Sequence, residues 1–134
     1  MPKSSLVTTY LAALLLLAGC ASQIPYTAQP QKVEDPVRTF DRLMSKHWQP
    51  TPLRVEFGED YGRIIWTFDG ELKARVVTFS QLRTTKIFSF RGQFGVAAYD
   101  ETGAEHVSLF VPTLEVAQEF ADTFMALGAS RPRP

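Results

Sequence analysis

Three kinds of residue in this chain could do chemistry: one cysteine, two histidines and a few closely spaced carboxylates. Cys20 is the only cysteine in 134 residues. A thiolate alkylates more readily than any other side chain, and Leu17, Ala18 and Gly19 precede it, small enough at the end to leave the backbone open to a protease. His47 and His106 are the two histidines. A Ser-His-Asp set can be assembled on paper from Ser80, Ser89 or Ser108, but none of these serines stands in a Gly-x-Ser-x-Gly turn. Glu59 with Asp60, and Asp69 with Glu71, bring carboxylates together as acid/base or calcium sites do, yet both pairs fall in stretches that read as turns, where carboxylates are usually solvated. There is no Cys-x-x-Cys and no phosphate-cradling glycine loop, and the histidines and cysteine are too few for a thiolate- or histidine-rich metal site. No catalytic residue, metal or cofactor is expected, and the chain does not read as an enzyme.

The residues before Cys20 explain its setting. A short polar start with Lys3 is followed by an uncharged run densest at Leu14-Leu15-Leu16-Leu17. That is the layout of an export signal, and the run is shorter than the roughly 20 apolar residues that cross a bilayer.

The sequence Leu17-Ala18-Gly19-Cys20 resembles the lipobox of bacterial lipoproteins. The resemblance implies cleavage between Gly19 and Cys20, a diacylglyceryl group on the Cys20 thiol and often a further acyl group on the new amino terminus. Residues 1–19 are then a signal peptide. Two or three acyl chains, at about 0.8 kcal/mol per buried CH₂, anchor a protein far more firmly than one. A residue other than aspartate after the cysteine, here Ala21, implies the outer membrane, with the chain facing the periplasm. An exported chain meets no nucleic acid.

About 115 residues then remain, which suits one domain, and 45% hydrophobic content is ordinary for a globular chain. With its cysteine committed to lipid, the fold must stand on packing alone. Fourteen basic residues offset 14 acidic ones, but not evenly along the chain. Lys73, Arg75, Arg83, Lys86 and Arg91 occupy a stretch without acids, and Asp100, Glu101, Glu105, Glu115, Glu119 and Asp122 follow in one without lysine or arginine. Either the two segments pack together and neutralise each other, or the first presents a basic face to an anionic partner.

Residues 20–34 are rich in proline, glutamine, serine and threonine and read as a flexible tether, able to hold a domain up to about 40 Å from the bilayer. Asp35-Pro36 reads as the cap and first turn of a helix. Val37, Phe40, Leu43, Met44, His47 and Trp48 give that helix an apolar side, and Gln49-Pro50-Thr51-Pro52 ends it. Six strands are expected next, over residues 53–57, 63–68, 72–79, 84–91, 94–99 and 105–111. Asp69-Gly70 marks one hairpin and Gly92-Gln93 another, with glycine first in the turn and Phe90 opposite Gly95. Both sides of this second hairpin are partly apolar, so either a helix or another molecule covers the outer one. Thr113 caps a final helix with Leu114, Ala117, Phe120, Ala121, Phe124 and Leu127 on one face, and Gly128 is expected to end it as a left-handed residue. Residues 35–128 form the domain and 129–134 a disordered tail.

The expected fold class is α+β: an N-terminal amphipathic helix, an antiparallel meander of about six strands in a bent sheet or partial barrel, and a C-terminal amphipathic helix. The stretch from Phe88 to Leu127, with its hairpins and Thr113-capped helix, resembles the pleckstrin-homology-like fold. The helix from Pro36 to Trp48 departs from that pattern. The loop Gly58-Glu59-Asp60-Tyr61-Gly62 is acidic where phosphoinositide-binding members carry basic residues, so no phosphate site is implied there. The alternative is an open antiparallel sheet with two helices on one face. The expected role is a noncatalytic, lipid-anchored binding or assembly module of the cell envelope. Arg75, Arg83, Lys86, Phe88 and Arg91 form its candidate binding surface, for an envelope protein or an anionic envelope component. The alternatives are a structural subunit of an envelope complex or homo-oligomer, and a small periplasmic hydrolase.

Overall fold

The computed structural model of the chain describes residues 21–130. The expected signal peptide at 1–19, the lipobox-like stretch with its expected cleavage site at Gly19 and Cys20, and residues 131–134 of the expected tail lie outside the described residues, while Ala129 and Ser130 of that tail belong to the end of the last helix and its cap. The fold is α+β, with two antiparallel sheets and two α-helices among the described residues. Strands β2 (Arg54–Phe57), β3 (Tyr61–Phe68) and β4 (Glu71–Thr78) form a three-stranded meander. The other sheet has the order β1-β5-β6-β7, from β1 (Ser22–Ile24), β5 (Thr84–Phe90), β6 (Gln93–Tyr99) and β7 (Glu105–Val111). Helix α1 (Pro36–His47) precedes β2, and α2 (Leu114–Ala129) follows β7.

Both helices begin as their sequences predict. The Asp35 carboxylate accepts from the Arg38 amide at 3.2 Å, with Pro36 opening the helix. The Thr113 hydroxyl accepts from the Val116 amide, also at 3.2 Å. Phe40 on α1 sits where helices and sheets meet, its ring centroid 5.4 Å from Phe79 and 6.3 Å from Phe124. Ile64, Val77, Ile87, Val96, Val107, Phe120 and Leu127 are buried in the same core.

Four expectations are corrected. The described strands form two sheets, not one bent sheet, and do not close into a barrel, because a corner splits them into two groups. After β4 the chain makes a 3₁₀ turn at Phe79–Gln81 that buries Phe79 and Leu82. Asp60 holds the corner by accepting from the Ser80 amide at 3.0 Å and from the Ser80 hydroxyl. Carbonyls at the corner are taken up by Arg83, whose guanidinium donates to Ser80 and Leu82.

The flexible tether is also replaced from Ser22 onward. β1 pairs with β5, and Ile24, Tyr26 and Ala28 pack against the core. This seventh strand escaped the composition argument because three residues carry too little apolar pattern to read. It forms because β5 would otherwise end the sheet with unpaired backbone groups.

At the β5–β6 hairpin the turn residues are Arg91 (φ 48°) and Gly92 (φ 78°), not Gly92-Gln93. Phe90 therefore pairs with Gln93 and Phe88 with Gly95, so that each partner lies two residues from its expected place. The positive φ at both positions gives the turn whose twist matches the strands. The Asp69-Gly70 hairpin has the same form, with φ of 52° and 77°.

Gly128, finally, does not terminate a helix in the left-handed region; α2 runs through it to Ala129. A Cβ at Gly128 would lie 2.4 Å from the Leu82 carbonyl oxygen. The glycine is there so that the helix backbone can approach the corner.

Candidate functional site

Alternation along β5, β6 and β7 sorts their side chains onto two faces. Ile87, Val96 and Leu109 lie in one cross-strand row and point at the core, as does Ile24 opposite Ile87 on β1. The next row points away from it: Gln23, Phe88, Gly95 and Phe110 in sequence across the four strands. Helix α2 packs on β5 and β6 and covers the inner side. Among the described residues no helix covers the outer side, where Phe110 is 53% exposed.

Gly95 lies between two aromatic residues on this outer face. A Cβ there would stand 3.6 Å from the Phe110 ring and 3.9 Å from the Phe88 Cβ, ordinary contact distances that place both side chains beside the glycine. Phe90 joins them, its centroid 6.3 Å from that of Phe110. Two cations border the aromatics. The Arg91 guanidinium lies 5.3 Å from the Phe90 ring centroid and the Lys86 ammonium 5.3 Å from that of Tyr99, both within cation–π range. No carboxylate occurs in β1, β5 or β6.

Of the five predicted surface residues, Lys86, Phe88 and Arg91 are brought together along this face. Arg83 is not, because it is engaged at the corner; its amide also donates to the Tyr99 carbonyl at 2.8 Å. It lines a shallow cleft of about 220 Å³ with Asp100 and Glu101, so this part of the basic segment does meet the acidic one. Arg75 lies in the other sheet, exposed on β4 opposite Ile64. Phe110 is not among the residues that the sequence singles out for the surface. Phe110 could have been found: placing Val107, Leu109 and Val111 inward leaves it outward.

The histidines sit apart. His106 Nε2 lies 3.0 Å from Asp100 Oδ2. The other oxygen of Asp100 accepts from the Thr102 amide and hydroxyl at 2.8 and 2.6 Å and from the Ala104 amide at 3.0 Å. The Thr102 hydroxyl, then His106 and the two amides, hold this carboxyl well below the usual carboxylate range, so it is a poor base and a good turn anchor. Ser80 donates to Asp60. His47 stacks edge-on against Phe120 at 5.9 Å, and burial, with Lys46 beside it, pushes its pKa down. A larger concavity of about 630 Å³ lies between the N-terminal segment, α1 and α2, with Lys32, Asp35, Arg38, Glu115, Glu119 and Asp122 on its walls. Neither histidine lines it.

Among the described residues, no cluster of three or more His, Cys, Asp or Glu could hold a metal ion, and no helix is long and apolar enough to cross a membrane. The class defined by this architecture is a small α+β domain with one open aromatic and basic sheet face. No protein-family model, curated protein or solved structure matches the chain.

Proposed function

We propose that the chain is a lipid-anchored protein of the bacterial cell envelope, held in the outer membrane and facing the periplasm, whose domain is a noncatalytic binding or assembly module. The observation that carries this reading is Leu17-Ala18-Gly19-Cys20 at the end of an apolar run, with Cys20 the only cysteine in the chain. Acylation uses the thiol and leaves no second cysteine to compete for it. The open face bearing Phe88, Phe90, Phe110, Lys86 and Arg91 supports a binding role, because aromatic residues and arginine are the side chains enriched where surfaces are recognised.

A second reading, a structural subunit of an envelope complex or homo-oligomer, is favoured by the end of the β3–β4 hairpin. Phe68 and Leu72 there are 60% and 66% exposed, and β4 is an edge strand. Such an edge can take on another strand. Fractionation of cells carrying Cys20→Ala tests the anchor: the variant is expected to remain unprocessed and to leave the membrane fraction, and unchanged processing and location contradict the proposal. A photo-crosslinker at Leu72 tests the second reading, which requires a discrete protein adduct; crosslinking to lipid or water alone counts against it.

A further inference from the structure

We propose that the outer face of the four-stranded sheet at its β5–β6 turn, built by Phe88, Phe90, Arg91 and Phe110, lies flat against the anionic phospholipid leaflet that holds the acyl chains of Cys20. The inference rests on the lipid-anchor reading and adds to it an orientation.

The orientation comes from β1. Ile24 pairs with Ile87, Gln23 with Phe88 and Ser22 with Ser89. Followed backwards, the chain therefore runs along β5 towards Phe90 and the Arg91-Gly92 turn. Only Ala21 separates Ser22 from Cys20, and two residues reach at most about 7 Å. As long as β1 stays paired, the acylated residue is delivered to the turn end of this sheet with almost no slack. A tether free along its whole length would have let the domain stand tens of ångströms away, in any orientation.

The surface presented at that end suits a lipid interface. Phe110 is the most open of the three phenylalanines on this face, and Phe88 and Phe90 flank it, half-buried. Arg91 lies over the Phe90 ring, a position from which its stem can rest on apolar surface while the guanidinium reaches phosphate oxygens. Charge runs the same way. Arg91 is the charged residue of the turn end and Lys86 lies farther along β5 opposite Ala97, whereas Asp100, Glu101 and Glu105 gather around the β6–β7 connection, roughly 20 Å from the turn at about 3.3 Å per residue of β6. An anionic leaflet attracts the first end and repels the second.

The test uses the acylated full-length protein in vesicles of phosphatidylethanolamine and phosphatidylglycerol. With Cys20 blocked by lipid, a single new cysteine takes a nitroxide label: Gln93→Cys beside the turn, Ser108→Cys on the outer face or Glu101→Cys at the far end. The expected result is a severalfold higher ratio of oxygen to water-soluble relaxant collisions at positions 93 and 108 than at 101. Arg91→Glu is expected to lower the docked-to-undocked ratio by roughly tenfold or more, since each basic residue near an anionic surface contributes on the order of fivefold. The protein should still sediment with the vesicles. Labels at 93 and 108 as water-accessible as the one at 101, in protein that is acylated and sediments, overturn the docking and leave the anchor standing. Labels shielded from both relaxants mean that protein covers the face, and overturn it too. A chain without acyl mass overturns the anchor reading itself.

Discussion

The phenol of Tyr26 donates a 2.8 Å hydrogen bond to Asp122 Oδ1, an oxygen that also accepts from the Gln29 amide at 2.6 Å. One buried carboxylate on the last helix thus fastens the segment that leads from β1 to α1. Burial and this hydrogen bond push the Tyr26 phenol up to about 12. Asp122→Ala leaves two donors unanswered, and hydrogen bonds to a charged group contribute about 1.5–3 kcal/mol each. The expected cost is about 3 kcal/mol in denaturant unfolding. Amide exchange over residues 22–33 should accelerate while β6 stays protected, and unchanged exchange in that segment would show that Asp122 does not hold it. The raised phenol stabilises the fold below its ordinary pKa of 10.0 and loses that contribution as pH rises through about 12, and Tyr26→Phe should remove this alkaline step.

Gly128→Ala offers a test whose sign is informative. In an open helix the change is stabilising by roughly 1 kcal/mol. Here the new Cβ would press on the Leu82 carbonyl oxygen, a backbone atom with little room to yield, and overpacking of this kind costs about 1–3 kcal/mol. A lowered melting temperature is expected; a raised one would mean that α2 does not approach the corner as described.

His47 predicts acid sensitivity. Its folded pKa lies below the ordinary 6.5, from burial first and Lys46 second, so the unfolded chain binds more protons there. The stability it contributes is present above pH 6.5 and is lost as pH falls through the folded value. Melting temperature should decline below that point, and His47→Gln should flatten the decline. Asp100 is depressed as well, from an ordinary value of 3.8, and its contribution persists until strongly acid pH, which separates the two.

Much of this fold is legible in the sequence, because caps and alternation are local signals. Asp35-Pro36, Thr113, Asp69-Gly70 and the two faces of β7 could each be read from a few neighbouring residues. What could not be read depends on distant chain. Gly128 stands opposite a carbonyl at Leu82, and nothing beside it in sequence distinguishes a packing glycine from a capping one. The Arg91-Gly92 turn was missed by one residue because arginine seldom adopts a positive φ, whereas a glycine-first turn looked locally sound. β1 is three residues that become a strand only when β5 is there to receive them. At the candidate surface, Lys86 and Phe88 share a face by strand alternation, whereas Arg91, expected on the opposite face as a strand residue, joins them because it stands in the turn. Arg83 looks like a surface residue in the sequence because its carbonyl partners at Ser80 and Leu82 come from a corner that the sequence does not announce.

Acylation of the proposed anchor at Cys20 is read from the intact mass of the protein extracted from membranes. The expected species begins at Cys20 and is heavier than its polypeptide by a diacylglyceryl group, with or without a further amide-linked acyl chain. A chain of unmodified polypeptide mass, or one still carrying residues 1–19, would contradict the proposed anchor.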